Sequence, residues 1–371
     1  MPAPVLDRRV GPKGRPHVSR IYSNIKAFAY PDHVRALSER RVVAPVHVRI
    51  KPINLCNHDC WYCAYRASQL QLGEAMDLRD KIPEAKMFEI VDDLIAIGVE
   101  AVTFSGGGEP LLYKPLPEVI ERLAAAGIRV AALTNGANLK GRMADAFARH
   151  GTWIRVSMDS WDDASCAENR NVKMGEFTRI VDNIRRFVGR RSRCVTGVSF
   201  IIGEKNCGHV HDVCRMLKDI GVNHVKLAAA VVSNDGVEND CYHRHFAAKV
   251  KAEIGKALAL RDGGFEVLDH YHVAGERFDK DYRICPYLQF LTVIGADCGI
   301  YTCQDKAYTA GGRLGSIKDC RFKDFWFSDE NRGRLYAIDP SRDCRHHCVT
   351  HAKNVAIMDM LSLDPDHRSF V

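Results

Sequence analysis

Between residue 45 and about residue 230, strand-like and helix-like stretches alternate, and this rhythm narrows the possible folds more than any other feature. Residues 46–54, VHVRIKPIN, carry Val46, Val48 and Ile50 at every second position, the period of a strand. Residues 86–97, KMFEIVDDLIAI, place Met87, Ile90, Val91 and Leu94 at helical spacing. AVTFSGGGEP (101–110) is a strand running into a glycine turn, and Leu116, Val119, Ile120 and Leu123 mark a helix that ends at Gly127. Further strands are expected at 128–136, 153–160, 195–203 and 224–230, with a helix between each pair; Val210, Val213, Cys214 and Leu217 share one such helix face. Strands alternating with helices build a parallel sheet. Six units point to an α/β barrel, partial or complete, in which the loops after the strands carry the chemistry.

The alternation stops after an expected long helix at about 240–262. Residues 285–351 are rich in cysteine and short strands. The expected organisation is an N-terminal extension (1–44), the α/β unit (45–264) and a small second domain (265–371). With 371 residues, 46% of them hydrophobic, the chain can build one large and one small core. No run of about 18 apolar residues is present, so no membrane span is expected. MPAPVLDRRVGPKGRPHVSR (1–20) lacks the apolar core of a secretion signal. Fourteen cysteines in such a chain read as metal ligands or reactive thiols in a reducing cytoplasm, not as a disulfide framework. The net charge of +7 fits either solubility or affinity for an anionic substrate.

Cys56, Cys60 and Cys63 stand in CNHDCWYC, directly after the first strand. Thiolates are soft ligands suited to zinc or iron–sulfur clusters. A structural zinc site wants four ligands, and His58 is a candidate fourth. A [4Fe–4S] cluster is usually held by four cysteines, so three would leave one iron open to a substrate or cofactor.

The spacing C-x3-C-x-aromatic-C, with Tyr62 as the aromatic, resembles the radical S-adenosylmethionine (radical SAM) superfamily. The resemblance implies a partial (β/α)6 TIM-like barrel. It also implies a [4Fe–4S] cluster on Cys56, Cys60 and Cys63 whose open iron chelates SAM. Reductive cleavage of SAM would then give methionine and a 5′-deoxyadenosyl radical that abstracts a substrate hydrogen. Gly107, Gly108 and Glu109 match the family's GGE segment, which receives the SAM amino group; read alone, SGGGEP is also a turn that lets the chain reverse. By the same resemblance Asn135, Ser157 and Asp159 lie at cofactor-facing strand ends, where ordinary turns are the alternative. Arg170 resembles an arginine aimed at the SAM carboxylate, against the alternative of an exposed surface arginine. Ile202, with Glu204 and Asn206, resembles the adenine-contacting segment.

DCGIYTC (297–303) and CRHHC (344–348) resemble the SPASM and twitch domains that add auxiliary clusters to radical SAM enzymes. The resemblance implies a second [4Fe–4S] cluster on Cys285, Cys303, Cys344 and Cys348. Cys298 occupies the family's glycine position, and Cys320 is a substitute ligand or a free thiol. A Cys/His zinc site using His346, His347 or His351 is the alternative. Cys166, Cys194, Cys207, Cys214 and Cys241 are isolated, and no chemistry is assigned to them.

The expected function is therefore hydrogen abstraction from a small polar substrate such as a sugar, nucleotide or nucleotide-sugar, with flavodoxin or ferredoxin as electron donor. The basic N-terminal arm (residues 1–20), Lys226 and HYHVAGERFDKDYR (270–283) are candidate substrate-site features. Maturation of a ribosomal peptide is the alternative. A non-enzymatic zinc protein that binds nucleic acid is a remote one, because no helix-turn-helix, RNP-like segment or basic stripe is present.

Overall fold

The computed structural model describes residues 22–67, 70, 72–272, 278–364, 366–367 and 369–370. All six expected strands form: β1 (His47–Ile50), β2 (Ala101–Phe104), β3 (Arg129–Thr134), β4 (Gly151–Met158), β5 (Val195–Ile202) and β6 (His224–Ala229). They run parallel in sequence order, joined by β7 (Glu266–His270) beside β6. On the other side of β1 lie β8 (Leu291–Ile294), also parallel to β1, and then β9 (Gly299–Tyr301) and β10 (Arg313–Ser316) in antiparallel pairing. Among the described residues the result is an open ten-stranded sheet, ordered β10-β9-β8-β1-β2-β3-β4-β5-β6-β7.

Helices α1 (Pro31–Ser38), α2 (Glu84–Ala96), α3 (Leu116–Ala125), α4 (Gly141–His150), α5 (Asp163–Arg170), α6 (Glu176–Gly189) and α7 (Val210–Ile220) precede or connect the strands. Strand parity decides what faces them. Val48, Ile50, Val102, Phe104, Ile154, Val156, Val198, Phe200, Val225 and Leu227 are buried in one core with Met87, Ile90, Leu123, Phe147, Ile184 and Leu217 of the helices. Burying each such side chain contributes roughly 1.5–3 kcal/mol, so this face holds the sheet together. The alternate residues, among them His47, Arg49, Arg155 and Lys226, turn to the opposite face. That face is concave: Arg49 on β1 and Arg155 on β4, three strands apart, lie within each other's electrostatic reach.

The expected helix at 240–262 is two helices, α8 (Gly236–Arg244) and α9 (Ala247–Leu258). The break follows from the buried Phe246, which packs edge-on against Tyr242 and His243. His243 in turn lies 2.8 Å from the Ala230 carbonyl oxygen and 3.0 Å from the Tyr271 hydroxyl. β7 begins just past the expected domain boundary at 264, and β8 of the cysteine-rich region joins β1 directly, so one sheet runs through both parts.

Of the N-terminal extension, residues 1–21, with the basic arm, lie outside the described residues, as do 273–277 within the segment 270–283. Residues 27–37 dock through Ala27, Val34 and Leu37 onto Phe290 and Ile357. No helix among the described residues is long and apolar enough to cross a membrane.

Candidate functional site

The three-cysteine loop leaves the end of β1 and is clasped from both sides. Lys51 N donates to the Ile294 carbonyl (2.8 Å), and Asp59 N and Trp61 N donate to the carbonyls of Arg170 (2.8 Å) and Asn169 (3.0 Å). Arg170 is only 1% exposed, so it is a core residue and not a surface arginine. Its Nε donates to Asp159 Oδ1 (2.6 Å), and its Nη2 donates to Tyr62 Oη (3.0 Å) and the Ser157 carbonyl (2.8 Å). Its Nη1 lies 3.3 Å from His58 Nδ1. One guanidinium therefore ties the β4 end and the last turn of α5 to the cysteine loop, through five rigidly placed donors.

His58 does not serve as a fourth thiol-side ligand. Its Nε2 sits 2.8 Å from Glu176 Oε1 and its Nδ1 faces Arg170, so both ring nitrogens are committed away from the cysteines. Cys56, Cys60 and Cys63 are partly buried, and the thiolates repel one another. Burial pushes the Cys56 thiol up to about 11 and Cys60 to about 12. Binding a metal group would have to displace those protons.

The glycines of SGGGEP have a reason in this chain's own packing. A Cβ on Gly107 would stand 2.2 Å from Asn54 Oδ1, and one on Gly108 would stand 2.1 Å from the Leu55 carbonyl oxygen. Gly108 N and Glu109 N donate to the Ile53 (3.1 Å) and Leu55 (2.9 Å) carbonyls, so the glycine turn is stitched to the entry of the cysteine loop. Glu109 is 2% exposed, and burial raises its pKa. Its carboxylate accepts from Leu111 N (3.0 Å), Thr134 Oγ1 (2.5 Å) and Asn135 N (2.7 Å). Those three bonds leave about one of the carboxylate's roughly four lone-pair sites for an ammonium.

Asn135 joins the ends of β3 and β1: its Nδ2 donates to Asn57 Oδ1 (2.9 Å) and reaches Cys56 Sγ (3.9 Å). Ser157 lies on the concave face and Asp159 is fully buried beside Arg170. Ile202 is corrected by strand parity. It is completely buried in the helix-side core, and Ile201 is the concave-face residue at that strand end. Asn206, given little weight from sequence, is a buried tie: its Nδ2 donates to the carbonyls of Asp159 (2.7 Å) and Ile201 (2.8 Å). Nothing local in the sequence marks it; its partners are 47 and 5 residues away.

The second cysteine set is assembled from distant segments. Cys303 is partly buried, and its thiol is raised by desolvation, then by Asp305, Cys348, Cys285 and Cys344. Cys285 feels Cys348 and Cys344 in the same way. Asn354 Nδ2 donates to Cys285 Sγ (3.4 Å), and Cys348 Sγ lies 3.3 Å from Thr350 Oγ1. Cys298 and Cys320 sit among other neighbours, chiefly Lys86 and nearby acids. Cys298 is in the left-handed region (φ 58°), where glycine is favoured. His351 Nδ1 is 3.2 Å from Tyr282 Oη, and the buried His346 is lowered to about 3 by desolvation first. Among the described residues no three His, Cys, Asp or Glu side chains gather closely enough to hold a single metal ion.

The donor sets fit the implied groups. Both sets are all-thiol, the ligand type that iron–sulfur clusters take. At the strand ends, Asp159 Oδ2 and Ser105 Oγ are buried without hydrogen-bond partners, as a polar cofactor requires of its receiving groups. Between the two sets lies a linked pair, a buried Lys51 and a partly buried Tyr65. Lys51 Nζ donates to Tyr65 Oη (2.6 Å) and to the Gly106 carbonyl, and Tyr65 Oη donates to the Gln304 carbonyl (3.2 Å). Both residues feel Cys63 on one side and Cys303 on the other. Sequence reasoning missed this pair.

Known proteins resemble this chain over part of its sequence and in its fold. The Radical SAM superfamily profile matches residues 50–217. The S-adenosylmethionine-dependent nucleotide dehydratase of Lacinutrix mariniflava is 34% identical over 120 residues, 32% of this chain and 24% of the relative. The GTP 3′,8-cyclase of Synechococcus elongatus is 36% identical over 120 residues, 32% of this chain and 35% of the relative. The matched stretch thus spans well under half of either relative. Among solved structures, Streptococcus suis SuiB bound to S-adenosylmethionine superposes with a TM-score of 0.62 at 14% identity, covering 86% of this chain and 77% of that one. Native anSMEcpe with bound AdoMet gives 0.57 at 15% identity, covering 85% and 96%. The three-thiol loop and the glycine–glutamate turn packed against it both lie within the matched stretch, so residues 50–217 form a radical SAM domain.

Proposed function

We propose that this protein binds S-adenosylmethionine at a [4Fe–4S] cluster held by Cys56, Cys60 and Cys63, and uses it to abstract hydrogen from a small polar substrate on the concave face. Such a cluster, held by Cys56, Cys60 and Cys63, would supply the electron for reductive cleavage of SAM. This chain's residues do the rest. Arg170 fixes the loop through Asp159 and Tyr62, Gly107 and Gly108 allow close backbone approach, and Glu109 offers its remaining acceptor site to the SAM ammonium. The single observation that carries this reading is the three-thiol loop clasped by a buried arginine against the glycine–glutamate turn. We further propose a second [4Fe–4S] cluster on Cys285, Cys303, Cys344 and Cys348, with four protein ligands and hence an electron-transfer or structural role.

The curated relatives named for nucleotide chemistry support a nucleotide or nucleotide-sugar substrate. The reading includes a reducing cytoplasmic setting and a flavodoxin or ferredoxin as electron donor. The decisive experiment is anaerobic reconstitution, reduction with dithionite and chromatographic detection of 5′-deoxyadenosine. Wild type should form it, and Glu109→Ala should need a higher SAM concentration at unchanged iron content. Absence of 5′-deoxyadenosine from a protein of full iron content would overturn the reading.

A further inference from the structure

The concave face carries several basic side chains. A parallel sheet covered on both faces normally runs as continuous apolar strands. Here β1 alternates Val48 and Ile50, turned to the helices, with His47, Arg49 and the following Lys51, turned inward. β4 turns Arg155 inward, one inward step (about 7 Å along a strand) beneath Ser157, and β6 turns His224 and Lys226 inward. The acid that Arg49 and Lys51 both feel is Asp305, which Lys280 also shares. Among the described residues neither Arg49 nor Arg155 stands in an ion pair. Arg49 Nε, Arg155 Nε and His224 Nδ1 are buried and have no hydrogen-bond partner. Like charge buried in this way is costly unless something of opposite charge meets it.

The lower end of this face is built, not merely crowded. A Cβ on Gly197 would fall 2.3 Å from the His224 ring, so the glycine makes room for that imidazole to lie across β5. Tyr22 Oη lies 2.8 Å from His224 Nε2 and accepts from Arg155 Nη1 (3.2 Å), which fixes the guanidinium from below. Burial first, then Arg155 and Lys226, hold His224 down to about 3, so the imidazole is neutral near pH 7 and leaves the anion-binding charge to the arginines.

We infer that Arg49 and Arg155, seated by Tyr22, His224 and Gly197, form an anion subsite on the concave face that grips a phosphate group of the substrate beneath the SAM loop. The inference deepens the proposed function and rests on its placement of the substrate. Arginine's fork matches phosphate oxygens two at a time. Two guanidiniums within electrostatic reach of each other favour a group that carries more than one negative charge, such as a phosphate, over a single carboxylate. The anionic end would point down the face, with the carbon that loses hydrogen toward the loop of Cys56, Cys60 and Cys63.

The test is calorimetric titration of the reconstituted holoprotein with inorganic pyrophosphate, with malonate as the carboxylate comparator. Wild type should bind pyrophosphate saturably and more tightly than malonate. Arg49→Gln and Arg155→Gln should each weaken it by about tenfold or more, while the exposed Arg215→Gln leaves it unchanged. Arg155→Lys should restore part of the binding, and unchanged iron content and melting temperature show that the variants fold. Competition by glucose 1-phosphate but not GTP would assign the subsite to a sugar phosphate, and the reverse would assign it to a nucleotide. No pyrophosphate binding by wild type, or binding that survives both glutamine variants, overturns the inference. Pyrophosphate binding without 5′-deoxyadenosine formation would sink the radical reading alone, and formation without binding would sink this inference alone.

Discussion

The two cysteine constellations are made in opposite ways. Cys56, Cys60 and Cys63 come from one eight-residue loop, and the fold's work is to hold that loop still: Arg170 reaches it from the end of α5 and Asn135 from the end of β3, with Glu109 bracing Asn135. Cys285, Cys303, Cys344 and Cys348 come from segments up to 63 residues apart, and the fold's work there is to bring the thiols together. A local set of three suits a cluster with a free coordination position, because the loop's own backbone sets the spacing. A dispersed set of four suits a closed site that staples chain segments to one another. On the proposed reading, the first constellation serves chemistry at an open iron, and the second serves electron transfer or structural support.

The comparison breaks most visibly if the thiols are removed. Replacing Cys56, Cys60 and Cys63 by alanine should abolish 5′-deoxyadenosine formation and lower the iron content from about eight per chain to about four, on four irons per cluster. Persistent 5′-deoxyadenosine would move the active cluster elsewhere. Replacing Cys285 and Cys303 should produce the converse: about four irons lost, SAM cleavage kept in the absence of substrate, and a lower melting temperature as the staple is lost. If the second pair of substitutions leaves iron at the wild-type level, the C-terminal thiols hold no cluster and the contrast between the two sites fails.

The same contrast explains what the sequence could and could not reveal. The local motif was legible because its ligands and its strand are contiguous. So were the six strands, whose apolar period is carried within each segment. The choice of Cys285, Cys303, Cys344 and Cys348 over Cys298 and Cys320 came from a family resemblance, and those four thiols lie within electrostatic reach of one another. β7 was missed because EVLDH has little apolar alternation, and the break between α8 and α9 depends on the burial of Phe246 against Tyr242 and His243. Ile202 was misplaced because its strand was read without its parity. The signal for the concave cations was present in VHVRIKP, where every second residue of an otherwise apolar strand is basic, but only the apolar half of that alternation was used.

Arg170 sharpens the comparison at the level of stability. Its side chain and that of Asp159 are 2% and 0% exposed and 2.6 Å apart. Removing one partner of such a buried pair leaves the other charge uncompensated, at a cost of about 3–5 kcal/mol. Arg170→Met should therefore lower the unfolding free energy by that order and loosen the SAM-side cluster first, seen as preferential loss of iron that Cys56, Cys60 and Cys63 hold. Arg170→Lys should rescue little, because a lysine cannot serve Asp159, Tyr62 and the Ser157 carbonyl together. Equal release of iron from both sites on mild denaturation would show that the clasp is not specific to the loop.

The smallest expected effect falls on Cys298, which separates ligand from turn residue within the second region. Its φ of 58° is a conformation that glycine adopts freely and other residues adopt at a cost of roughly 1–2 kcal/mol. Its carbonyl accepts from Ile317 N (2.8 Å), so the backbone there does structural work that a substitution would not remove. The side chain is buried, so glycine relieves the backbone strain but gives up a small apolar contact. The two terms oppose, and Cys298→Gly should shift stability by less than about 1 kcal/mol in either direction. Iron content measured on that variant should equal wild type. A loss of about four irons would make Cys298 a ligand after all and would mean that the turn is held by the metal group and not by its own hydrogen bonds.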